Sequence, residues 1–334
     1  MKRYYCIIFL ILYIGDLNAQ PEKLTPKRKL FSFVQINDTH IKDTSVRKEI
    51  RTYALTTEKL QKFVQLINLK TYFDQPSFVI IPGDLIHGEA YEALLPDYEK
   101  AKKILDDLLC PYYPILGNHE VIQDENDPRA LAAYSEAFGA GKINYTYLSH
   151  GILFICINNA GYHKNTMGRN NWLSEVMRKY QKTPKIIASH VPLLPMREEK
   201  VLERSFGFGD YYKDSNDTTL NIIRANSKTV IAVLSGHLHL TGMVIDSGIY
   251  HIVNSGLGSL PCDFTYYEVF KDHIDVKTCQ IDSTLRLGSR NLHGKPRHKI
   301  DYTDSLHKTG LEYLSGNEYE RNFTIPLPKS KRPK

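Results

Sequence analysis

Short apolar runs alternate along this chain with longer segments in which apolar residues recur at helical spacing. The runs predict buried strands at 30–36, 78–81, 112–116, 152–157, 185–189 and 230–234. The segments between them predict helices at 49–73, around 101–108, at 127–138, around 173–180 and at 218–225. Because strands and helices alternate, we expect an α/β fold built from βαβ units, with ligands bound at the carboxyl ends of the strands.

The last part of the chain has a different pattern. Short alternating segments predict strands at 243–245, 249–253, 266–270 and 274–278. Residues beyond 286 are polar and basic. We expect residues 286–334 to form an extension that packs on the domain of residues 20–285, with a disordered basic end.

The amino terminus has the pattern of an export signal. Basic residues at 2–3 precede an apolar run at 4–14, and Ala19 is a small residue at a plausible cleavage site. A helix that crosses a bilayer needs about twenty apolar residues, so residues 1–19 predict a cleaved signal peptide rather than a stable membrane anchor. An uncleaved signal anchor is the alternative. The signal peptide predicts a secreted or periplasmic protein.

Composition limits the kinds of partner and of metal site that we expect for this protein. Of the 334 residues, 42% are hydrophobic and the formal net charge is +6, which is typical of a folded globular protein. The basic residues form no patch with interleaved aromatic side chains, which argues against nucleic-acid binding. No C-x-x-C pair occurs, which argues against a thiolate zinc site. Cys262 and Cys279 either pair across a predicted hairpin or remain free thiols.

A polar cluster follows five of the predicted strands directly. The clusters are Asp38-Thr39-His40, Gly83-Asp84, Gly117-Asn118-His119-Glu120, His190 and Gly236-His237-Leu238-His239. Mixed imidazole and oxygen ligands suit Mn, Fe, Zn or Co, whereas calcium prefers oxygen ligands alone. Each cluster alone is weak evidence, but the ordered set after successive strands predicts one metal site. The glycines that precede three of the clusters would allow sharp turns where side chains crowd the metals.

In order, spacing and residue type, these clusters resemble the calcineurin-like metallophosphoesterase superfamily over roughly residues 30–280. The resemblance implies a layered α/β/β/α sandwich of two mixed sheets flanked by helices, with a metal site at the strand carboxyl ends. It also implies two divalent or trivalent transition-metal ions, such as Mn, Fe or Zn. The first ion would be held by Asp38, His40, Asp84 and His239. The second would be held by Asp84, Asn118, His190 and His237, so that Asp84 bridges the pair.

The same resemblance implies a nucleophile and a general acid for the reaction. A water bound between two such ions would be acidified towards neutral pKa and would act as the nucleophile. His119 is not needed as a ligand, and its counterpart in the family lies near the leaving group. We therefore expect His119 to be the catalytic general acid or charge stabiliser, with a supporting role behind the ligands as the alternative. Glu120 would orient its neighbours.

Position 87 departs from the family pattern. Many relatives carry Asp three residues after the bridging Asp, where this chain has His87. Purple acid phosphatases have a metal-binding Tyr there but lack the first histidine, which is His40 in this chain, so a tyrosinate–ferric site is disfavoured. His87 is either an extra metal ligand or a side chain that faces the ligands or the substrate.

The compact size is similar to that of the cyclic-nucleotide and general phosphodiesterase branch of the superfamily. We therefore expect hydrolysis of phosphodiester bonds in a small phosphoester substrate. A phosphomonoesterase is the alternative within enzymes. A metal-binding protein that recognises phosphate without hydrolysing it is the alternative outside them.

Overall fold

Two six-stranded β-sheets form the centre of the protein. The computed structural model describes residues 28–45, 53–122, 124–161, 167–206, 212, 218–258, 260–286 and 302–333. The predicted signal peptide lies outside these ranges, and it stays a prediction. Within the described ranges, no helix has both the length and the apolar character needed to cross a membrane.

The strands follow the apolar runs closely. They are β1 (Phe31–Gln35), β2 (Val79–Pro82), β3 (Tyr112–Ile115), β4 (Tyr145–Ser149), β5 (Ile152–Ile157), β6 (Lys185–Ser189), β7 (Val230–Ser235), β8 (Gly242–Asp246), β9 (Ile249–Val253), β10 (Asp263–Val269), β11 (His273–Gln280) and β12 (Asn322–Pro326). The helices are α1 (Thr56–Asn68), α2 (Tyr91–Leu105), α3 (Pro128–Phe138), α4 (Met167–Lys179), α5 (Glu199–Phe206), α6 (Thr219–Ala225), α7 (Ser283–Arg286), α8 (Gly310–Ser315) and α9 (Glu318–Arg321). Helix α1 ends earlier than predicted because Lys70, just beyond it, adopts a left-handed backbone with φ 55°.

Both sheets are mixed. The first has the order β12-β11-β10-β1-β2-β3, and the second has the order β4-β5-β6-β7-β9-β8. In the first sheet β1, β2 and β3 run parallel, and β10 pairs antiparallel with β1. In the second sheet β5, β6, β7 and β9 run parallel. Parallel neighbours place their carboxyl ends at one edge of a sheet, which is where the polar clusters follow.

The apolar residues divide into layers. Phe33 of β1 and Phe78, which directly precedes β2, pack against Phe154 of the second sheet, and these rings belong to the core between the sheets. The opposite face of the first sheet packs on α1, α2 and α3, and that of the second on α4 and α6. A strand buried on both faces has no polar side, which explains the continuous apolar runs. The predicted α/β/β/α sandwich is thus confirmed.

The carboxyl-terminal extension is part of the fold. Strand β12 pairs antiparallel with β11 as the edge of the first sheet. The buried Arg197 guanidinium donates to Glu320 Oε1 of α9 at 2.9 Å and to the Tyr313 carbonyl of α8. Lys331 is buried and its Nζ donates to the Gly248 carbonyl. Long-range contacts therefore order residues 302–333, including the basic residues near the end for which disorder was expected.

The structure shows whether Cys262 and Cys279 form a disulfide, which the sequence left open. In the described part of the chain Cys262 and Cys279 are not joined by a disulfide, and neither Cys110 nor Cys156 forms one. Burial raises the pKa of the Cys156 thiol to about 12, as expected for a side chain that belongs to the core.

The buried Arg197–Glu320 ion pair gives a test of how firmly the extension is held. Arg197→Met keeps the apolar stem but leaves Glu320 with one charged partner fewer, and breaking a buried pair in this way costs about 3 kcal/mol or more. Urea unfolding should show a loss of that size in the free energy of unfolding. The matched control is Arg178→Met on the exposed face of α4, for which a change within about 0.5 kcal/mol is expected. Equal stability of the two variants would contradict a stabilising role for this contact.

Candidate metal centre

The carboxyl ends of strands from both sheets meet at one place and present the predicted ligand residues. Three groups of neighbouring metal-ligating side chains occur there within the described ranges, and all are buried. The groups are Asp38, His40, Asp84 and His239; Asp84, His190 and His237; and His40, His87 and His119. The first two correspond to the two ligand sets implied by the sequence, and they share Asp84.

The first cluster has the spacing of ligands around one ion. Nε2 of His40 lies 3.2 Å from Nε2 of His239, which in turn lies 3.3 Å from Asp38 Oδ1. His40 Nε2 lies 3.8 Å from Asp84 Oδ2. Donor atoms around a tetrahedral ion with bonds of about 2.1 Å are about 3.4 Å apart, so these residues fit a metal.

In the second cluster, Asn118 Oδ1 lies 2.9 Å from both His190 Nε2 and His237 Nδ1. His190 Nε2 is also 3.3 Å from Asp84 Oδ1. His190 Nδ1 donates to the Pro82 carbonyl at 2.9 Å, which fixes the ring and turns Nε2 towards the cluster. The structure therefore brings Asn118 into the second set, as the sequence implied.

Asp84 is held in place by its neighbours on the adjacent loop. Glu120 accepts hydrogen bonds from the backbone N–H groups of Asp84, Ile86 and Gly117, and the His119 N–H donates to Asp84 Oδ1 at 3.1 Å. Glu120 thus positions the bridging residue, in keeping with the orienting role expected of it.

The electrostatics of the cluster show how closely its charges interact. Burial alone would raise the pKa of Asp84, but the imidazoles of His190 and His119 hold that pKa well below its usual range. Burial and the charge of Asp84 raise the pKa of Glu120 to about 7. Burial would lower the pKa of His190, yet the charge of Asp84 raises it to about 9. Asp84 takes part in each of these shifts, so its charge acts on both Glu120 and His190.

Several ligand residues adopt a left-handed backbone that non-glycine residues rarely enter. Their φ angles are 47° for Asp38, 47° for His40, 49° for Asp84, 69° for His237 and 50° for His239. Such conformations cost about 1–3 kcal/mol each and cluster at functional sites. The surrounding structure therefore maintains this geometry against local preference.

The glycines before the ligands act in two ways. Gly83 has a φ of +81°, and a Cβ there would lie 2.3 Å from His190 Nδ1. Gly117 has no left-handed φ, but a Cβ would lie 2.1 Å from Asp84 Oδ1. The predicted sharp turn thus applies to Gly83, whereas Gly117 is needed for close approach.

His119 and His87 lie side by side next to the first cluster. His119 Nδ1 donates to the His87 carbonyl at 2.6 Å, and its Nε2 lies 3.9 Å from Asp84 Oδ2. One carboxylate faces both rings, since Glu89 lies 3.4 Å from His119 Nδ1 and 3.2 Å from His87 Nε2. His87 therefore lies within reach of the ligands and of the space beside them.

Sequence reasoning missed other residues at this site. The Tyr53 ring stacks on His40 with centroids 3.9 Å apart, and its burial raises its pKa. The Asn37 side chain donates to Asp38 Oδ2 and to the Asn254 carbonyl. Asn37 directly precedes the predicted ligand Asp38, and Glu89 lies two residues after His87. Their positions in the sequence could therefore have indicated that both lie at the site. Tyr53 had no such signal, because it reaches the site only through the fold.

A family model for calcineurin-like phosphoesterases matches residues 31–240. The chain belongs to the calcineurin-like phosphoesterase family. The matched segment contains all members of the two ligand clusters that share Asp84. The family match and the metal-ligand geometry therefore cover the same part of the chain.

Individual relatives of this calcineurin-like phosphoesterase are distant. The uncharacterized protein YvnB of Bacillus subtilis is 21% identical in an alignment of 235 residues that covers 65% of this chain but only 16% of that protein. A dimetal phosphatase from Danio rerio superposes with a TM-score of 0.58 at 16% identity, over 75% of this chain and 96% of that one. GAP50, described as the anchor in the inner membrane complex of Plasmodium, gives a TM-score of 0.51 at 16% identity, over 84% and 100% of the two chains. These structures support the fold.

The shared carboxylate gives a direct test of the centre. We expect wild-type protein to hold a pair of metal ions and Asp84→Asn to lose both, because a neutral amide cannot bridge two cations. Elemental analysis of purified protein measures the metal content. Asp106→Asn, an exposed carboxylate after α2, is the control and should keep the wild-type content. Full metal content in Asp84→Asn would rule out the bridge.

Proposed function

We propose that this chain is a binuclear-metal-dependent phosphodiesterase. The observation that carries the proposal is that Asp84 belongs to both ligand clusters. A pair of bound cations would supply an acidified water and would neutralise charge on the phosphoryl oxygens. The imidazole-rich ligand set favours Mn, Fe or Zn.

His119 is suited to proton donation. Its Nδ1 is engaged with the His87 carbonyl, so the ring is held with Nε2 on the side of Asp84. The residue is 9% exposed, so the side chain is not wholly enclosed by protein. A proton on Nε2 can therefore be delivered to an ester oxygen of a phosphoryl group bound beside Asp84.

The preference for diesters rests on the space beside the centre. A diester carries two substituents on phosphorus, and a cavity of about 220 Å³ opens next to the ligand His40. That cavity offers room for one substituent while the other stays in solvent. A phosphomonoesterase is the second candidate, since the Danio rerio relative is a dimetal phosphatase.

Turnover of two chromogenic esters separates these functions. Mn-loaded protein should cleave bis-p-nitrophenyl phosphate with a higher kcat/KM than p-nitrophenyl phosphate, and a chelator should abolish the reaction. The reverse order would assign a phosphomonoesterase. Cleavage of neither ester by protein with full metal content would favour phosphate recognition without hydrolysis.

Replacement of His119 tests its role separately from metal binding. His119→Ala should lower kcat for the diester by about 10²–10⁴-fold, because a general acid contributes that much. Metal content should stay at the wild-type level. His150→Ala, which removes an exposed histidine far from the clusters in sequence, is the control. If His119→Ala is purified without metal, His119 is a ligand rather than the acid.

A further inference from the structure

The loop that carries His237 and His239 takes part in the metal centre and also packs on the carboxyl-terminal extension. His237 and His239 belong to the two ligand clusters. Leu238 and Leu240, which follow them directly, are buried in an apolar cluster that includes Tyr313 of α8. The side chains of this loop are therefore divided between the metal clusters and the extension.

The backbone at the end of the loop is bound from two directions. Thr241 lies two residues after His239, and its N–H donates to the Leu314 carbonyl of α8 at 2.8 Å. Its own carbonyl accepts from Arg197 Nη2 at 2.6 Å. Both polar groups of this peptide unit are thus engaged, which restricts the position of the loop relative to α8.

The side chain of Thr241 is linked to the extension as well. Its hydroxyl donates to Asp263 Oδ2 at 3.1 Å. Arg321 of α9 donates from Nη1 to the same oxygen at 2.9 Å. Asp263 is fully buried, so this carboxylate ties the loop and α9 together inside the protein.

The guanidinium of Arg197 forms the centre of these contacts, and the residue is only 6% exposed. Nε and Nη2 both donate to the Tyr313 carbonyl. Nη1 donates to the Met196 carbonyl and to Glu320 Oε1. Nη2 also donates to the Thr241 carbonyl. This set engages all five N–H donors of the planar fork, which a lysine ammonium cannot reproduce.

Glu320 is itself fixed by other residues of the extension. Its Oε2 accepts from the Asn317 N–H at 2.8 Å and lies 2.7 Å from His307 Nε2. His307 Nδ1 lies 2.7 Å from Asp304 Oδ1. Burial would raise the pKa of Glu320, but His307 and Arg197 hold that pKa below its usual value. The carboxylate that Arg197 binds is therefore charged and well anchored.

We propose that the carboxyl-terminal extension positions the loop of His237 and His239 through Arg197, and that it thereby sets the affinity of the protein for both metal ions. His239 belongs to the first cluster and His237 to the second, so a displacement of the loop alters both sites together. Arg197 is a positioning residue, since it acts on the ligands through Thr241. This role concerns metal binding and does not depend on which ester the protein cleaves.

A metal titration tests the role of Arg197. Arg197→Met should weaken the binding of Mn at both sites at least about tenfold, as is typical when a group that supports metal ligands is removed. Calorimetric titration of metal-free, full-length protein with Mn measures both affinities, at a temperature where circular dichroism shows each variant to be folded. Arg197→Lys keeps the charge but not the planar set of donors. It is a second variant in case Arg197→Met fails to fold, and it should also bind Mn more weakly than wild type.

A matched control separates positioning from a general loss of stability. Leu105 is fully buried at the end of α2 and lies near Tyr112, the first residue of β3. This is the amino end of the strand, whereas the metal clusters lie at the carboxyl ends. Leu105→Ala should lower stability about as much as Arg197→Met, because it leaves a cavity in the core, yet keep the wild-type affinities for Mn. Equal weakening in Leu105→Ala would attribute the effect to lost stability and overturn the positioning role.

Cobalt spectroscopy reports the ligand geometry itself. The visible absorption of Co(II)-loaded protein depends on the arrangement of the ligand atoms, so Arg197→Met should shift the bands and Leu105→Ala should not. If Arg197→Met binds Mn as tightly as wild type and leaves the cobalt spectrum unchanged, the extension does not position the loop. Neither measurement involves turnover, so failure of the proposed phosphodiesterase function would leave this result intact.

Discussion

One buried carboxylate has to face two ligand clusters at once, and the loops around it are arranged to keep it there. Asp84 lies 3.8 Å from His40 Nε2 on one side and 3.3 Å from His190 Nε2 on the other. Its own backbone N–H is held by Glu120, whose carboxylate also binds two neighbouring N–H groups. A buried negative charge is costly unless it is paired, and cations on both sides would provide that pairing. The charge of Asp84 and its position between the clusters therefore favour the binding of two metal ions.

The geometry of the ligand loops has a conformational cost that the sheets offset. Left-handed backbone at Asp38, His40 and Asp84 is stabilised by hydrogen bonds that continue beyond the end of β1: the Asp38 N–H donates to Gly83 O and the His40 N–H to Asp84 O. The loop that carries His237 is linked in the same way, since the Gly236 N–H donates to His190 O. Strained backbone conformations of this kind persist only where contacts with the surrounding residues hold them in place. Rigidity of the centre thus depends on both sheets together.

Much of this arrangement could be predicted from the sequence, for identifiable reasons. Strands buried on both faces leave continuous apolar runs, as at Ile152–Ile157 and Val230–Ser235, so their positions were readable. Polar residues directly after such runs had to lie at strand carboxyl ends, which meet at one edge of a parallel sheet. The left-handed backbone of the ligand residues could not be predicted from the sequence, because neither Asp nor His requires that conformation. Tyr53 could not be placed at the centre for a similar reason, since its contact with His40 depends on the tertiary fold.

The carboxyl-terminal extension shows where composition misleads. Its basic end suggested disorder and its polar composition predicted no helices, yet the local signals Thr309 to Glu312 and Asn317 to Glu320 are both capping boxes that begin helices. What orders the segment is a long-range contact: Arg197 binds Glu320 and also donates to the Thr241 carbonyl, while the Thr241 N–H donates to Leu314 O. Thr241 lies two residues beyond the ligand His239. The extension is therefore joined to the loop that carries two metal-ligand candidates, and it belongs to the structure that holds the centre.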